Sequence, residues 1–291
     1  MSVNGTVTAL AGGGYEARVA TSGAALVALT HRGRDLVLPF DPAVLPAGYQ
    51  GRTLVPWPNR VVGGRYAVAG RTLRLPVNEP ETGAALHGHG AFQPWTVVDS
   101  SGAAVTLELD LPATYGYPFD VLCRVRYALD DDGLSVTVTG TNEGEEPAPF
   151  GIGIHPYLTC GVPVDGCALT VPSARVLLTD GRSTPTRLVE VAGDLDLRVP
   201  TVLGARSVDH AFTALPRGGW TVELSDPGSG RGVRMSSDAP WVQVYTGELL
   251  GRRGVAVEPM TCPPDAFNTD PEGVLLGPGF SRTLGLRLSA S

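Results

Sequence analysis

The chain of 291 residues contains no lysine, and all 22 of its basic residues are arginines scattered along the sequence. Acidic residues outnumber them at 29, which gives a formal net charge of −7 at pH 7. No basic run is present. Proteins that bind a nucleic-acid backbone need a positive surface, because neutralising phosphates supplies much of their affinity. The charge pattern therefore argues against a nucleic-acid partner.

Long apolar runs and an export signal are also lacking. The opening residues, MSVNGTVTALAGGGYEAR, show no cationic segment followed by an uninterrupted apolar stretch, and no later segment reaches about 18 apolar residues. We expect a soluble protein that stays in the cytoplasm and has no membrane partner. The cysteines form no C-x-x-C motif, and a chain of this length needs no disulfides to fold. Reduced structural thiols are expected at Cys123, Cys160, Cys167 and Cys262.

Helical periodicity is absent over any stretch of about 12 residues, and strand patterns take its place. Segments rich in β-branched or aromatic residues recur, for example AVTLELDL at 104–111, LSVTVTGTN at 134–142 and WTVELSD at 220–226. Turn-forming residues separate them, and the chain holds 38 glycines and 25 prolines. No internal repeat suggests a propeller or a solenoid. The pattern predicts an all-β fold, a large antiparallel β-sandwich that forms one domain over residues 1–291.

Two strand patterns place an ionisable side chain on a face that otherwise carries small residues. In FGIGIHPYL, alternation puts His155 on the same face as Gly151 and Gly153. In RRGVAVEPM, it puts Glu258 on the same face as Ala256. A glycine inside a strand often marks a place where a ligand or another backbone approaches closely. A single histidine or glutamate in a strand usually has a structural role. The occurrence of two such segments in one chain makes a purely structural role less favoured but does not exclude it.

The segment LHGHG supplies His87 and His89, which would share a face if the segment were extended. An H-x-H pair also suggests a metal site. A metal motif of the cupin type, however, requires a glutamate three or four residues after the second histidine, and Phe92 and Gln93 stand there. We therefore predict no metal.

Further polar candidates lie in loop-like segments. Asn59 and Arg60 occur in PWPNRVVGGRY, between prolines and a glycine pair, a setting that can fix a loop and position a guanidinium. For a single arginine, a surface ion pair is the commoner case. Asp209 precedes an aromatic in SVDHAF, where an ordinary turn carboxylate is the simpler interpretation. No G-x-S-x-G, P-loop or dinucleotide-binding glycine pattern occurs, so no cofactor is predicted.

Together these segments resemble the successive motifs of the aldose 1-epimerase (galactose mutarotase) family. The similar segments follow the family's order over about residues 50 to 270 and are NRVVGGRY, LHGHGAFQPWTV, GYPFDVLCRVRYAL, GIGIHPYL, VDHAF, WVQVYTGE and VEPMTCPPDAFN. The resemblance implies a galactose-mutarotase-like β-sandwich, or supersandwich, with its site in a cleft on one sheet. It also implies interconversion of the α and β anomers of a free aldose, such as glucose or galactose, without a cofactor.

The resemblance further implies a role for each candidate residue. Glu258 would be the general base that takes the proton from the anomeric hydroxyl, and His155 the general acid that protonates the ring oxygen. Ordinary pKa values of about 4.3 for glutamate and 6.5 for histidine suit such a pair, so we expect a pH optimum near neutrality. The residues that would hold the sugar are Arg60, His87 and Asp209, with Asn59 supporting Arg60.

Three alternatives stay open on the sequence. A hexose-6-phosphate mutarotase would use the same acid and base but need a basic pocket, which Arg65, Arg71 and Arg74 could form. A non-catalytic sugar-binding module could share the fold, although it would be expected to have lost one member of the acid–base pair. A glycoside hydrolase would need two carboxylates, and Asp209 and Glu258 could serve only if they lie within about 10 Å of each other.

Overall fold

The glycine- and proline-rich pattern of the sequence corresponds to many short antiparallel strands joined by tight turns. The computed structural model describes residues 2–291. Over that range the strands are β1 (Val7–Gly12), β2 (Tyr15–Ala20), β3 (Ala25–His31), β4 (Arg34–Asp35), β5 (Thr53–Leu54), β6 (Arg60–Val61), β7 (Arg65–Val68), β8 (Arg71–Arg74), β9 (Ala85–Leu86), β10 (Thr96–Ser100), β11 (Ala104–Leu111), β12 (Val121–Asp130), β13 (Gly133–Asn142), β14 (Ala148–Pro149), β15 (Gly153–Ile154), β16 (Tyr157–Leu158), β17 (Ala168–Thr170), β18 (Arg175–Thr179), β19 (Pro185–Glu190), β20 (Thr201–Val202), β21 (Asp209–Thr213), β22 (Trp220–Asp226), β23 (Arg231–Ser237), β24 (Trp241–Tyr245), β25 (Val255–Met260), β26 (Leu275–Leu276) and β27 (Ser281–Ala290).

Helical structure is confined to single turns. The α-helix α1 spans Ala266–Thr269, and 3₁₀ turns occur at Ala47–Tyr49, Val62–Gly64, Gly90–Phe92, Val164–Gly166, Gly193–Leu195 and Glu248–Leu250. Among residues 2–291, no helix has the length and apolar character needed to cross a bilayer.

The larger sheet contains nine strands in the order β10-β11-β12-β13-β27-β23-β22-β17-β20. Strand β12 shows why this sequence forms a half-buried sheet. Cys123, Val125 and Tyr127 point into the core, while Arg124 and Arg126 between them are exposed. This period of two is the pattern that the sequence displays, and it fixes the register against β11 and β13.

The second large sheet contains eight strands, in the order β19-β18-β21-β24-β25-β15-β5, with β16 also paired to β25. Val242 and Val244 of β24 belong to the same apolar core as Val125 and Tyr127 of the nine-stranded sheet. The two sheets thus form a sandwich around a shared core, which confirms the predicted all-β class. All four cysteines are free thiols, as expected.

Strand β25 organises the face of the eight-stranded sheet on which the candidate residues gather. Val255 and Val257 pack into the main core, whereas Ala256 packs with Tyr157 in a separate small cluster. Glu258 follows Ala256 on this second face, as strand alternation predicted. The neighbouring strand β24 places Gln243 opposite Glu258, and β16 places Tyr157 opposite Ala256.

Candidate active site

A cavity of about 350 Å³ lies on this face of the eight-stranded sheet. Its volume is in the range of small-molecule binding clefts. All six candidate residues line it: Asn59, Arg60, His87, His155, Asp209 and Glu258. The other lining residues are Gly48, Tyr49, Asn78, Glu79, Glu81, Leu86, Tyr157, Gln243, Tyr245 and Leu249. The fold therefore brings together candidate residues that are up to 199 positions apart in the sequence, from Asn59 to Glu258.

His155 and Glu258 are in direct contact at the base of this cavity. The Nε2 atom of His155 lies 3.3 Å from Oε1 of Glu258, and their side chains are only 6% and 2% exposed. The second carboxylate oxygen of Glu258 and the Nδ1 atom of His155 have no hydrogen-bond partner in the described residues. A buried acid–base pair with unused polar atoms can accept protons from a bound molecule and return them.

Burial shifts both members of the pair toward their neutral forms. Desolvation lowers the pKa of His155 to about 3. Desolvation, assisted by the nearby charge of Asp209 and opposed by Arg60, raises the pKa of Glu258 well above its ordinary value. The pair therefore keeps one shared proton over a broad pH range, and burial favours its placement on Glu258. Transfer of that proton from Glu258 to His155 gives a carboxylate and an imidazolium, and the number of protons on the pair stays the same.

The glycines beside His155 make room for another chain segment. A Cβ atom on Gly153 would lie 2.8 Å from Cβ of Pro58, and one on Gly151 would lie 2.9 Å from Cδ of the same proline. The space beside these glycines is therefore filled by side-chain atoms, from the Pro58 ring at both positions and also from the Cys262 sulfur, 2.5 Å from the Cβ position of Gly151. Packing against other segments of the chain, rather than against a ligand, accounts for the two glycines. This packing brings the loop that carries Asn59 and Arg60 next to His155.

The expectation that His87 and His89 share a face is wrong. His87 has φ of +62° and Gly88 φ of +69°, so the segment turns sharply and does not extend. His87 lines the cavity, with its ring centroid 5.2 Å from that of His155. His89 points elsewhere and packs edge-on against Trp57 at 4.9 Å. Left-handed backbone at a histidine is uncommon, and strand alternation does not apply across it.

Two hydrogen bonds join His87 to Asn59, and the one to the ring fixes which ring nitrogen carries the proton. Its backbone N–H donates to the carbonyl of Asn59 at 2.8 Å, and the backbone N–H of Asn59 donates to its Nδ1 atom at 3.1 Å. Because a backbone N–H can only donate, Nδ1 must carry the lone pair and the single proton of the neutral ring sits on Nε2. Desolvation, His155 and Arg60 all lower the pKa of His87, which keeps the ring neutral. His87 can therefore donate a hydrogen bond into the cavity.

Arg60 is held by a two-pronged ion pair with Glu79. Its Nε and Nη2 atoms donate to the two carboxylate oxygens at 2.6 and 2.8 Å. Although burial alone would raise it, hydrogen bonds from Arg60 and Thr82 hold the pKa of Glu79 below its ordinary value. The side-chain oxygen of Asn59 accepts from the backbone N–H of Arg60 at 2.9 Å, which supports the expected role of Asn59. The bidentate ion pair therefore fixes the orientation of the Arg60 guanidinium.

Asp209 is fixed by Gln243 on the adjacent strand. The Nε2 atom of Gln243 donates to Oδ1 of Asp209 at 2.6 Å, while Oε1 of Gln243 is buried without a partner. In the strand register, Gln243 lies opposite Glu258 and Asp209 opposite Tyr245. A row of polar groups therefore crosses the sheet beneath the cavity and can accept and donate hydrogen bonds to hydroxyl groups.

A comparison with known proteins gives this geometry a family. The sequence profile of the family Aldose 1-epimerase matches residues 6–289. The chain belongs to the aldose 1-epimerase family. This finding confirms the resemblance drawn from the motifs.

Relatives of this aldose 1-epimerase family member include both uncharacterised and named proteins. The uncharacterised protein YihR of Escherichia coli (strain K12) is 40% identical over 282 residues, which are 96% of this chain and 91% of YihR. The galactose mutarotase of Rattus norvegicus is 26% identical over 212 residues, or 66% of this chain and 60% of that protein. The GalM/aldose epimerase homologue from C. elegans superposes with a TM-score of 0.88 at 21% identity, covering 98% of both chains. The last comparison establishes that the fold is galactose-mutarotase-like.

Several residues that line the cavity of this aldose 1-epimerase family member are not among the candidates predicted from the sequence. Glu79 lies in the turn NEPETG and gives no sign of its pairing with Arg60. Tyr49 packs its ring 4.6 Å from that of His87, and its hydroxyl accepts from Asn78 at 3.0 Å. Only Gln243 had a usable signal, because alternation in WVQVYTGE places it on the strand next to Glu258 once the two strands are known to pair.

The basic pocket considered for a sugar phosphate does not form at this cavity. None of Arg65, Arg71 and Arg74 lines it. Arg71 instead pairs with Glu146 at the surface, and Arg65 borders a different depression beside α1. Among the described lining residues Arg60 is the one arginine, and Glu79 already occupies two of its donors.

His87, His155 and Glu258 form a cluster that has some of the features of a metal site. One ligand atom from each lies within 4.8 Å of the others. The protonation of His87 argues against this use. A metal bound to its Nε2 would move the proton to Nδ1, where it would face the N–H of Asn59. The cluster suits hydrogen bonding to a substrate better than it suits coordination.

Proposed function

We propose that this chain is an aldose 1-epimerase that interconverts the anomers of a free, neutral aldose in the cytoplasm, without a cofactor. The observation that carries the proposal is the contact between His155 and Glu258 inside a cavity lined by hydrogen-bonding groups. Membership of the family and the galactose-mutarotase-like fold supply the reaction class.

The reaction needs one group to take a proton from the anomeric hydroxyl and another to give a proton to the ring oxygen. In the ionised form of the pair, Glu258 takes the first proton and His155 gives the second. The ring opens to the aldehyde, the C1–C2 bond rotates, and reclosure on the other carbonyl face returns both protons. The His155–Glu258 pair holds one proton before the reaction and one proton after it. The pKa shifts that burial causes in the two residues favour this singly protonated state. Positioned acid and base groups each contribute about 10²- to 10⁴-fold.

The other cavity residues hold the sugar and stabilise developing charge. The Nε2–H of His87 and the guanidinium of Arg60 can donate to the ring or anomeric oxygen, where negative charge develops during proton transfer. Donors that are fixed before the reaction are the most effective, because no reorganisation is needed. Asp209 and Gln243 can bind the remaining hydroxyl groups.

The alternatives are less well supported. A sugar phosphate would lack its basic pocket, since the three arginines proposed for it lie away from the cavity. Asp209 and Glu258 do share the cavity, but the group in contact with Glu258 is His155, and that is the pairing a mutarotase uses. A binding module would have no need of a contacting acid–base pair with unpaired buried atoms.

Polarimetry tests the proposal. Freshly dissolved α-D-glucose and α-D-galactose should approach their equilibrium rotations faster with the protein than without it. Glu258→Gln should abolish the acceleration. Glu223→Gln, which changes a partly exposed carboxylate on the nine-stranded sheet, is the matched control and should not. The absence of any acceleration by the folded wild-type protein would refute the proposal and favour the binding module.

A further inference from the structure

The Arg60–Glu79 ion pair takes no part in the proposed proton transfers, but several hydrogen bonds hold it in place. The carboxylate of Glu79 receives two guanidinium donors and also the hydroxyl of Thr82. Its backbone carbonyl accepts from Gly83 at 2.9 Å, which closes the turn that carries it. The side chains of Arg60 and Glu79 are 14% and 19% exposed, so the pair is shielded from solvent on most sides. Such a pair is rigid and remains formed in the absence of substrate.

The pair decides the charge that a bound molecule meets. Four acidic side chains line the cavity, and they are Glu79, Glu81, Asp209 and Glu258. The last of these shares a proton with His155, so it adds no net charge. Arg60 is the one cationic side chain among the described lining residues. Glu79 cancels that positive charge and occupies the Nε and Nη2 edge of the guanidinium. This is one of the edges of the guanidinium that could otherwise receive a carboxylate or phosphate through two parallel hydrogen bonds. What remains in the cavity is a negative potential.

We propose that Glu79 is a specificity-determining residue that makes the cavity reject anionic aldoses, such as uronic acids and sugar phosphates, while it admits neutral ones. This inference rests on the proposed function for its substrate class. Like charges a few ångströms apart in a partly solvated cavity repel each other by an amount that corresponds to about tenfold in affinity. Loss of the Glu79 charge should therefore move the preference by at least that factor, and release of the Arg60 edge should add to it.

The test measures binding with sugars that cannot react. Methyl β-D-glucopyranoside and methyl β-D-glucuronide have no free anomeric hydroxyl and differ only in carrying a hydroxymethyl or a carboxylate group at C5. Their dissociation constants are measured by isothermal titration calorimetry for the wild type and for Glu79→Gln, Glu79→Asp and Glu81→Gln. Glu81 is the matched control, because it lines the same cavity but is exposed and forms no ion pair with an arginine in the described residues.

We expect the wild type to bind the neutral probe at least about tenfold more tightly than the anionic one. Glu79→Gln should reduce or reverse this ratio by at least tenfold, whereas Glu79→Asp, which keeps the charge, should largely preserve it. Glu81→Gln should change the ratio by less than about threefold. Retention of the fold in each variant is checked by thermal melting.

Two results would overturn the inference. One is that the wild-type protein binds the glucuronide as tightly as the neutral glucopyranoside, or more tightly. This measurement does not depend on whether any variant folds. The other is an unchanged ratio in folded Glu79→Gln. Because neither probe turns over, failure of the inference is distinct from failure of the proposed epimerase activity, which polarimetry measures separately.

Discussion

The buried carboxyl group of Glu258 should make the native protein less stable as the pH rises, so Glu258→Gln should stabilise the fold while it abolishes activity. The carboxyl is 2% exposed, and its Oε2 atom has no partner in the described residues. Its ionised form is therefore disfavoured in the native state relative to the unfolded chain. The glutamine replaces this group with a neutral one of the same shape, and it cannot act as the proton acceptor.

The magnitude follows from proton binding in the two states. Below the unfolded pKa, about 4.3, both states hold the proton and the contribution of the protonated group to stability is fully present. Above it, the unfolded chain loses the proton, while the native protein keeps it up to the raised pKa of Glu258. Over that interval the contribution of Glu258 to native stability falls by about 1.4 kcal/mol per pH unit. The lowered pKa of His155 gives a contribution of opposite sign between about pH 3 and 6.5. That contribution is common to wild type and Glu258→Gln, so the difference between the two proteins reports Glu258. The advantage of Glu258→Gln should grow at that rate and level off beyond the raised pKa.

Urea denaturation at pH 5, 6 and 7 measures this difference. The free energies of unfolding of wild type and Glu258→Gln should diverge as the pH rises, with the variant the more stable. Glu223→Gln should follow the wild type, because it changes a partly exposed carboxylate on the other large sheet and leaves the buried Glu258 in place. Parallel curves for wild type and Glu258→Gln would refute the reasoning, and they would mean that Glu258 is already ionised in the native protein.

Three more substitutions test other parts of the structure. His155→Asn should lower kcat by at least about 100-fold with the fold intact by circular dichroism, and near-normal turnover would refute its role in proton transfer. His87→Gln, whose amide can replace the Nε2–H donor, should keep most of kcat/KM, whereas His87→Leu should lose about 10²-fold or more; equal kinetics for the two would show that the donor is not needed. Gly140→Ala would place a Cβ atom 2.1 Å from Cζ of Phe150 and should destabilise the fold by about 1–3 kcal/mol without changing kinetics, which an unchanged Tm would contradict.

Those features that depend on neighbours in the chain were predictable from the sequence. Alternation along a strand is a local property, so the faces of β12 and β25 and the position of Glu258 could be read directly. The absence of helical periodicity likewise predicted the all-β class. The pairing of His155 with Glu258 needed more, because it depends on β16 lying beside β25, and only the resemblance to the family implied it.

The features that escaped prediction depend on backbone conformations and contacts between distant segments. The left-handed backbone of His87 separates it from His89, and nothing in LHGHG distinguishes this turn from an extended strand. Glu79 meets Arg60 only because the turn at 78–83 folds back over β6 and β9. The shifts in the pKa values of His155 and Glu258 arise from burial, which residue identity alone does not determine.

The position of β27 has a consequence for how the protein acquires its fold. This strand, Ser281–Ala290, is the last in chain order, yet it lies between β13 and β23 in the middle of the nine-stranded sheet. Until it is in place, both of those strands have open edges, and the two halves of the sheet cannot join. During synthesis the strand edges of β13 and β23 therefore stay exposed to other chains until residues 281–290 have left the ribosome. This sheet can be completed only after residues 281–290 have been synthesised, so chaperone protection of the growing chain should matter more than for a sheet whose central strands come early in the sequence.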